Sequence, residues 1–124
     1  MFNATQTFHA QVQYLKFHGG QGIRYITQLD QAYLPVNNLE VIYTFQGLTD
    51  DGQYYISAIL PITNGALPNS DQVTADMQSQ LNDPATYYQG MAQSLNAAKA
   101  QDFSPNLSLL DAMLQSLEIN EQGK

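Results

Sequence analysis

The residues that could do chemistry in this chain are few, and their spacing rules out most of what they could do. The two histidines, His9 and His18, are nine positions apart, on a strand-like segment and in a glycine-rich connection. No HxH or HExxH spacing gives them a metal-binding geometry, so they read as a solvent-facing strand residue and a loop residue. Asp50-Asp51-Gly52 lacks the alternating ligands, central Gly and terminal Glu of a calcium loop, and has what a tight hairpin turn requires. Gly19-Gly20-Gln21-Gly22 has no following Lys-Ser/Thr and precedes a strand, so it is a flexible loop and not a phosphate cradle. The serines sit in no GxSxG or SxxK context. The acids fall mostly in turns and at helix starts, where carboxylates have structural work. Neither a catalytic residue nor a metal ligand is singled out, and no cofactor is expected.

The eight tyrosines are the most informative chemistry-bearing set. Each combines a large apolar ring with a polar tip, the combination enriched at binding surfaces and interfaces. Tyr43, Tyr54, Tyr55 and Tyr25, all on predicted strands, are the binding candidates. The competing explanation is packing between sheet and helices with the hydroxyls reaching water. In Tyr54-Tyr55, neighbours on a strand, one ring must point away from the core.

Composition narrows the partners. The net charge is −7, and the four basic residues, Lys16, Arg24, Lys99 and Lys124, form no patch. Phosphate backbones are repelled, so no nucleic acid is expected, and anionic membrane surfaces are disfavoured. With no cysteine, disulfides, thiolate catalysis and Cys-based metal sites are excluded. No apolar run approaches the ~20 residues of a membrane span. The N-terminus has neither the basic nor the apolar region of a signal peptide. The chain opens almost at once on strand-like sequence, as the mature part of a longer exported protein would after its leader is cut.

The elements that must position these residues follow from periodicity. The central one is a hairpin over Leu39 to Ile62, with arms rich in Val, Ile, Tyr and Phe around Thr49-Asp50-Asp51-Gly52. Both arms carry apolar residues on both faces, which predicts interior strands. Residues 6–17 alternate, with Phe8, Ala10, Val12 and Tyr14 on one face and His9, Gln11 and Gln13 on the other. Ile23 to Thr27 forms a second strand after the glycine-rich loop. Gln28 to Tyr33 reads as a short helical turn ended before Pro35, with Tyr33 and Leu34 carried inward. Ser70 is expected to cap a helix over 70–81. Asp83 caps the next helix, with Pro84 at its first position, and the apolar spacing from Tyr87 to Ala98 continues it to about Ala100. A last helix covers about 106–116, running into Ser116-Leu117-Glu118-Ile119 as a short strand. Strands first and helices after predict one α+β domain over 1–124: an antiparallel sheet of four to five strands in two hairpins, with two to three C-terminal helices on one face.

YTFQGLTDDGQYYISAILPI, followed by LLDAMLQSLEI, resembles uncharacterised domains of bacterial exported proteins and lipoproteins of the cyanobacterial type. Its layout is similar to the PsbP-like fold of the photosystem II extrinsic subunit. The likeness spans about half the chain and rests on strand and helix patterns. It implies a non-catalytic binding or assembly role outside the cytoplasm, periplasmic or membrane-anchored through a removed leader. It transfers no functional residue.

The leading expectation is therefore a non-catalytic binding or protein-interaction module of a bacterial exported protein, with a protein partner or a second copy as its target and no small-molecule ligand identified. A different class is a small hydrolase-like enzyme with a carboxylate site between sheet and helices, for which Asp30, Glu40 and His18 are the candidates. A third is a homodimeric structural domain that pairs a strand edge or a tyrosine face.

Overall fold

The central hairpin forms where the β-branched and aromatic runs place it. The computed structural model describes residues 5–30, 34–70 and 72–117. β4, Val41–Thr49, and β5, Tyr55–Pro61, pair antiparallel, with Tyr43 opposite Leu60 and Gly47 opposite Ile56. Gly52 turns the chain between them at φ +74, the left-handed conformation that glycine adopts without steric cost. The Thr49 hydroxyl and carbonyl close the turn, accepting from the Tyr54 and Gly52 N–H groups at 3.0 and 2.8 Å.

β3, Gly20–Asp30, pairs with β4 along the other side, Gly20 opposite Thr49 and Gln28 opposite Val41. β3 is longer than the sequence suggests. Gly20 to Gly22 belong to the strand, leaving His18-Gly19 as the turn, and Gln28 to Asp30 continue the strand where a helical turn was expected. The rest of that expected turn, including Tyr33, lies outside the described residues. Leu34 is half-buried.

The far edge of β3 pairs with two segments end to end: β1, Thr5–Gln6, and β2, Ala10–Phe17. The single alternating strand expected over 6–17 is thus broken at 7–9 and bulged again between Ala10 and Gln13. An extra residue in one strand reverses the faces beyond it. Ala10 points to the core, as expected, but Val12 and Tyr14 are exposed, and Leu15 and Phe17 are buried instead. The strand order makes a second correction: β4 is interior, but β5 is an edge strand.

The inner face of the sheet carries the core. Leu15, Phe17, Ile26, Val41, Tyr43 and Phe45 pack beneath Tyr88, Leu95, Leu107, Leu110 and Leu114. The paired glycines Gly22 and Gly47 admit the Phe45 ring against the sheet; a Cβ on either would lie within 3 Å of it. The covering helices are α1, Ala75–Leu81, α2, Pro84–Ala97, and α3, Leu107–Gln115. Asp83 caps α2, accepting from Thr86 N–H at 3.4 Å, with Pro84 at the first position as expected. Asn106 caps α3. α1 starts later than predicted, because Thr74 is its cap while the Ser70 hydroxyl accepts from Gln72 N–H in a local turn. α2 ends three residues early, and a 3₁₀ turn over Ala100–Asp102 follows. A two-stranded ribbon of β6, Thr63–Asn64, and β7, Phe103–Ser104, ties the end of the hairpin to the connection before α3. Ser116 caps the end of α3 and Leu117 belongs to no strand, though its carbonyl accepts from His18 N–H at 3.2 Å; Glu118 and Ile119 lie outside the described residues. The result is an α+β fold, an antiparallel sheet with its helices on one face.

Candidate functional site

The four candidate tyrosines are divided between different surroundings. Tyr25 and Tyr55 stand on the outer face of the sheet, four positions apart in register. Tyr43 stands on the inner face, fully buried. Tyr54 lies half-exposed at the turn end of the hairpin.

Among the described residues no helix covers the outer face. Tyr14, Tyr55, Ile59 and Leu48 are 83, 65, 58 and 48% exposed there, far above their usual burial. Tyr14, Gln21, Ile23, Gln46, Leu48 and Tyr55 rim a shallow depression of about 440 Å³. Gln46 anchors it: its Nε2 donates to the hydroxyls of Thr44 and Ser57 at 2.8 and 3.1 Å, and its Oε1 accepts from the Tyr55 hydroxyl. The last of these bonds ties the Tyr55 ring to Gln46. Near the middle of the face, Tyr25 packs on His9 with ring centroids 4.9 Å apart. Along β2 to β5 the only acid is Asp30, at the end of β3. An acidic chain thus presents one broad face without carboxylates along its strands.

The inner face holds the buried charge that the sequence reading missed. Arg24, 3% exposed, forks onto Asp111 of α3: Nε to Oδ1 and Nη2 to Oδ2, both at 3.0 Å. Nη1 donates to the Gln11 carbonyl and Nη2 to Gln13 Oε1 at 2.8 Å. The Tyr43 hydroxyl donates to Asp111 Oδ1 at 2.7 Å. Burial, then the bond to Asp111, pushes the Tyr43 hydroxyl well above its ordinary range. The bulge completes the cluster. Gln11, at φ +55, receives Arg24 on its carbonyl, donates its N–H to Asn96 Oδ1 at 2.6 Å, and donates Nε2 to the Leu95 and Ala98 carbonyls at the end of α2. The signal in the sequence was Asp111 itself. It falls between Leu107, Leu110 and Leu114 on the apolar stripe of α3, and a buried carboxylate requires a cation.

A second polar knot holds residues 34–40 against α2. Val36 N–H donates to the Tyr87 hydroxyl at 2.9 Å and the Tyr88 hydroxyl donates to the Leu34 carbonyl at 2.6 Å. Gln28 and Asn37, both buried, bond each other and the Pro35 carbonyl.

The carboxylate candidates do not converge. β3 is 11 residues long, so its ends are roughly 33 Å apart at ~3.3 Å per residue. His18 precedes one end, while Asp30 is at the other, on the side where Glu40 precedes β4. Glu40 accepts from the Asn37 amide at 3.0 Å. Among the described residues no group of three or more His, Asp and Glu is gathered to hold a metal ion, and no helix is long and apolar enough to cross a membrane. No protein-family model matches the chain, and neither a curated protein nor a solved structure does.

Proposed function

We propose that this domain is a non-catalytic binding module that engages a protein partner with the outer face of its sheet. The observation that carries the reading is that face: broad, apolar, tyrosine-bearing and free of carboxylates along its strands, on a chain of net charge −7. Exposed apolar patches of this kind mark interaction sites, and depletion of charge with enrichment of tyrosine is the signature of an interface centre. The outer-face aliphatics Ile23, Leu48 and Ile59 favour a protein over a neutral polysaccharide, whose hydroxyls would lose water against them without gaining hydrogen bonds. Its setting in a bacterial exported protein is supported by the resemblance of the hairpin and the last helix alone.

Selection from a phage-displayed peptide library tests the reading. Peptides enriched by the domain should be uncharged and apolar, and should lose at least ~10-fold in affinity to a Tyr14→Ser/Tyr55→Ser variant, about 1.4 kcal/mol or more. The reading fails if enriched peptides bind the variant equally well. It also fails if none are enriched while soluble neutral glucans or xylans bind at the tyrosines.

A further inference from the structure

We propose that the outer edge of β5 pairs antiparallel with β5 of a second copy of the chain. The backbone sets up the pairing. Thr49 N–H donates to the Tyr54 carbonyl at 3.0 Å, and the alternation of an antiparallel ladder then aims the N–H and C=O groups of Ile56, Ala58 and Leu60 at β4. Those of Tyr55, Ser57 and Ile59 point the other way. Pro61 has the outward parity too, which is why a residue without an N–H is tolerated there. Among the described residues only β4 pairs with β5.

Natural edges are usually blunted by charges, bulges or a mid-strand proline. β5, YISAILP, has no charge, its register with β4 is unbroken, and its proline is the last residue. Its inner-face residues Ile56, Ala58 and Leu60 are only half-buried, and among the described residues no strand flanks them on the open side. The register that uses the whole strand places Ala58 opposite Ala58 of the second copy. Ile56 then meets Leu60, Ser57 meets Ile59 and Tyr55 meets Pro61. All three outward N–H groups of each copy find a carbonyl, and the half-buried aliphatics gain the neighbours they lack.

Charge selects the antiparallel arrangement. Asp50 and Asp51 sit in the turn before β5. With Ala58 on the two-fold axis, the two turns lie roughly 40 Å apart at ~3.3 Å per residue, several times the ~8 Å screening length at physiological salt. Parallel pairing would bring them together. One strand a side is less than the ~20–30 residues of a standard interface, so the dimer is weak and concentration-dependent. It places both outer faces on the same side of one continuous sheet, and it holds whatever binds there.

Sedimentation velocity at about 5 and about 500 µM tests the pairing, a range chosen for an interface at the low end of size. Wild type should be monomeric at the lower concentration and dimeric at the higher. Ser57→Pro removes an outward N–H and leaves the β4 ladder intact, so it should stay monomeric with an unchanged circular dichroism spectrum. Hydrogen exchange on the wild type gives a second readout, needed if Ser57→Pro does not fold. The Tyr55, Ser57 and Ile59 amides should exchange several-fold more slowly at the higher concentration. A wild type that remains monomeric, a Ser57→Pro variant that dimerises normally, or β5 amide exchange independent of concentration would each overturn the pairing.

Discussion

The two faces of one sheet are built from the same strands and alternate residue by residue, yet they do opposite things with polar groups. The inner face buries an arginine and a tyrosine, half-buries the carboxylate between them, and satisfies all three with one another and with Gln11 and Gln13. The outer face exposes tyrosines, leucine and isoleucine to water and orders them with amide hydrogen bonds, Gln46 to Thr44, Ser57 and Tyr55. Charge is thus buried where it holds α3 to the sheet, and apolar surface is exposed where a helix could have covered it. The comparison separates stability from binding: substitutions on the inner face should cost stability, and those on the outer face should not.

The strongest way to break that division is Asp111→Ala. It strands Arg24 and the Tyr43 hydroxyl in a buried site, and leaving an uncompensated buried charge typically costs about 3–5 kcal/mol. Urea unfolding should show a loss of that size, a large part of a domain's ~5–15 kcal/mol. Replacing the pair together, Arg24→Met with Asp111→Leu, should recover most of it. If Asp111→Ala costs under about 1 kcal/mol, the ion pair is not what fastens α3.

Next in size is Gly22→Ala. The new methyl would sit 2.5 Å from the Gln46 carbonyl oxygen and 2.6 Å from Gly47 Cα. Backbone cannot swing aside as a side chain can, so the sheet must shift, at about 1–3 kcal/mol. Thermal unfolding would show it as a lower Tm, whereas Gly90→Ala, with open space around it in α2, should hold or raise the Tm by removing a helical glycine.

These inner-face devices also mark what the sequence could and could not show. The hairpin, the Asp83–Pro84 start of α2 and the leucine stripe of α3 are local patterns, and each was legible. The bulge at Gln11 was not, because Gln has no preference for φ +55; the conformation is held by partners 84 to 87 positions away, in Asn96 and the end of α2. That one extra residue turned Tyr14 outward and Leu15 inward, so the outer face could not be assembled from alternation alone. The β6–β7 ribbon escaped for a similar reason: two residues a side carry no periodicity. Of the candidate tyrosines, strand parity already separated Tyr43 from Tyr55 once the register was known, and only the register was missing.

Alkaline pH probes the inner face more finely. The Tyr43 hydroxyl titrates above its ordinary 10.0 in the folded protein because it is buried and bonded to Asp111. Below pH ~10 it is protonated in both states and its contribution is fully present; above that the unfolded chain loses the proton first, so stability falls as pH rises. The urea midpoint should therefore decline beyond about pH 10. Tyr43→Phe should lower stability by about 1–2 kcal/mol at neutral pH, through the lost hydrogen bond to a carboxylate, and should flatten part of the decline. The remainder belongs in part to Tyr87, also raised, chiefly by burial.

The smallest expected effect sharpens the comparison most. Tyr55→Ser removes the largest anchored ring of the outer face, with its bond to Gln46. If that ring were structural, its loss would cost the ~3–5 kcal/mol of a buried aromatic. But the ring is two-thirds exposed, at 65%, and Gln46 keeps its bonds to Thr44 and Ser57. The urea midpoint should therefore move by no more than about ±0.5 kcal/mol, the range of ordinary surface changes. A ring that adds little to stability yet is tied by a hydrogen bond to its neighbour, on a face whose strands carry no carboxylate, suits a preorganised contact, since part of the entropy of fixing it is already lost before binding. A loss above about 2 kcal/mol would instead make the outer face part of the fold's support, and the division between the two faces would fall with it.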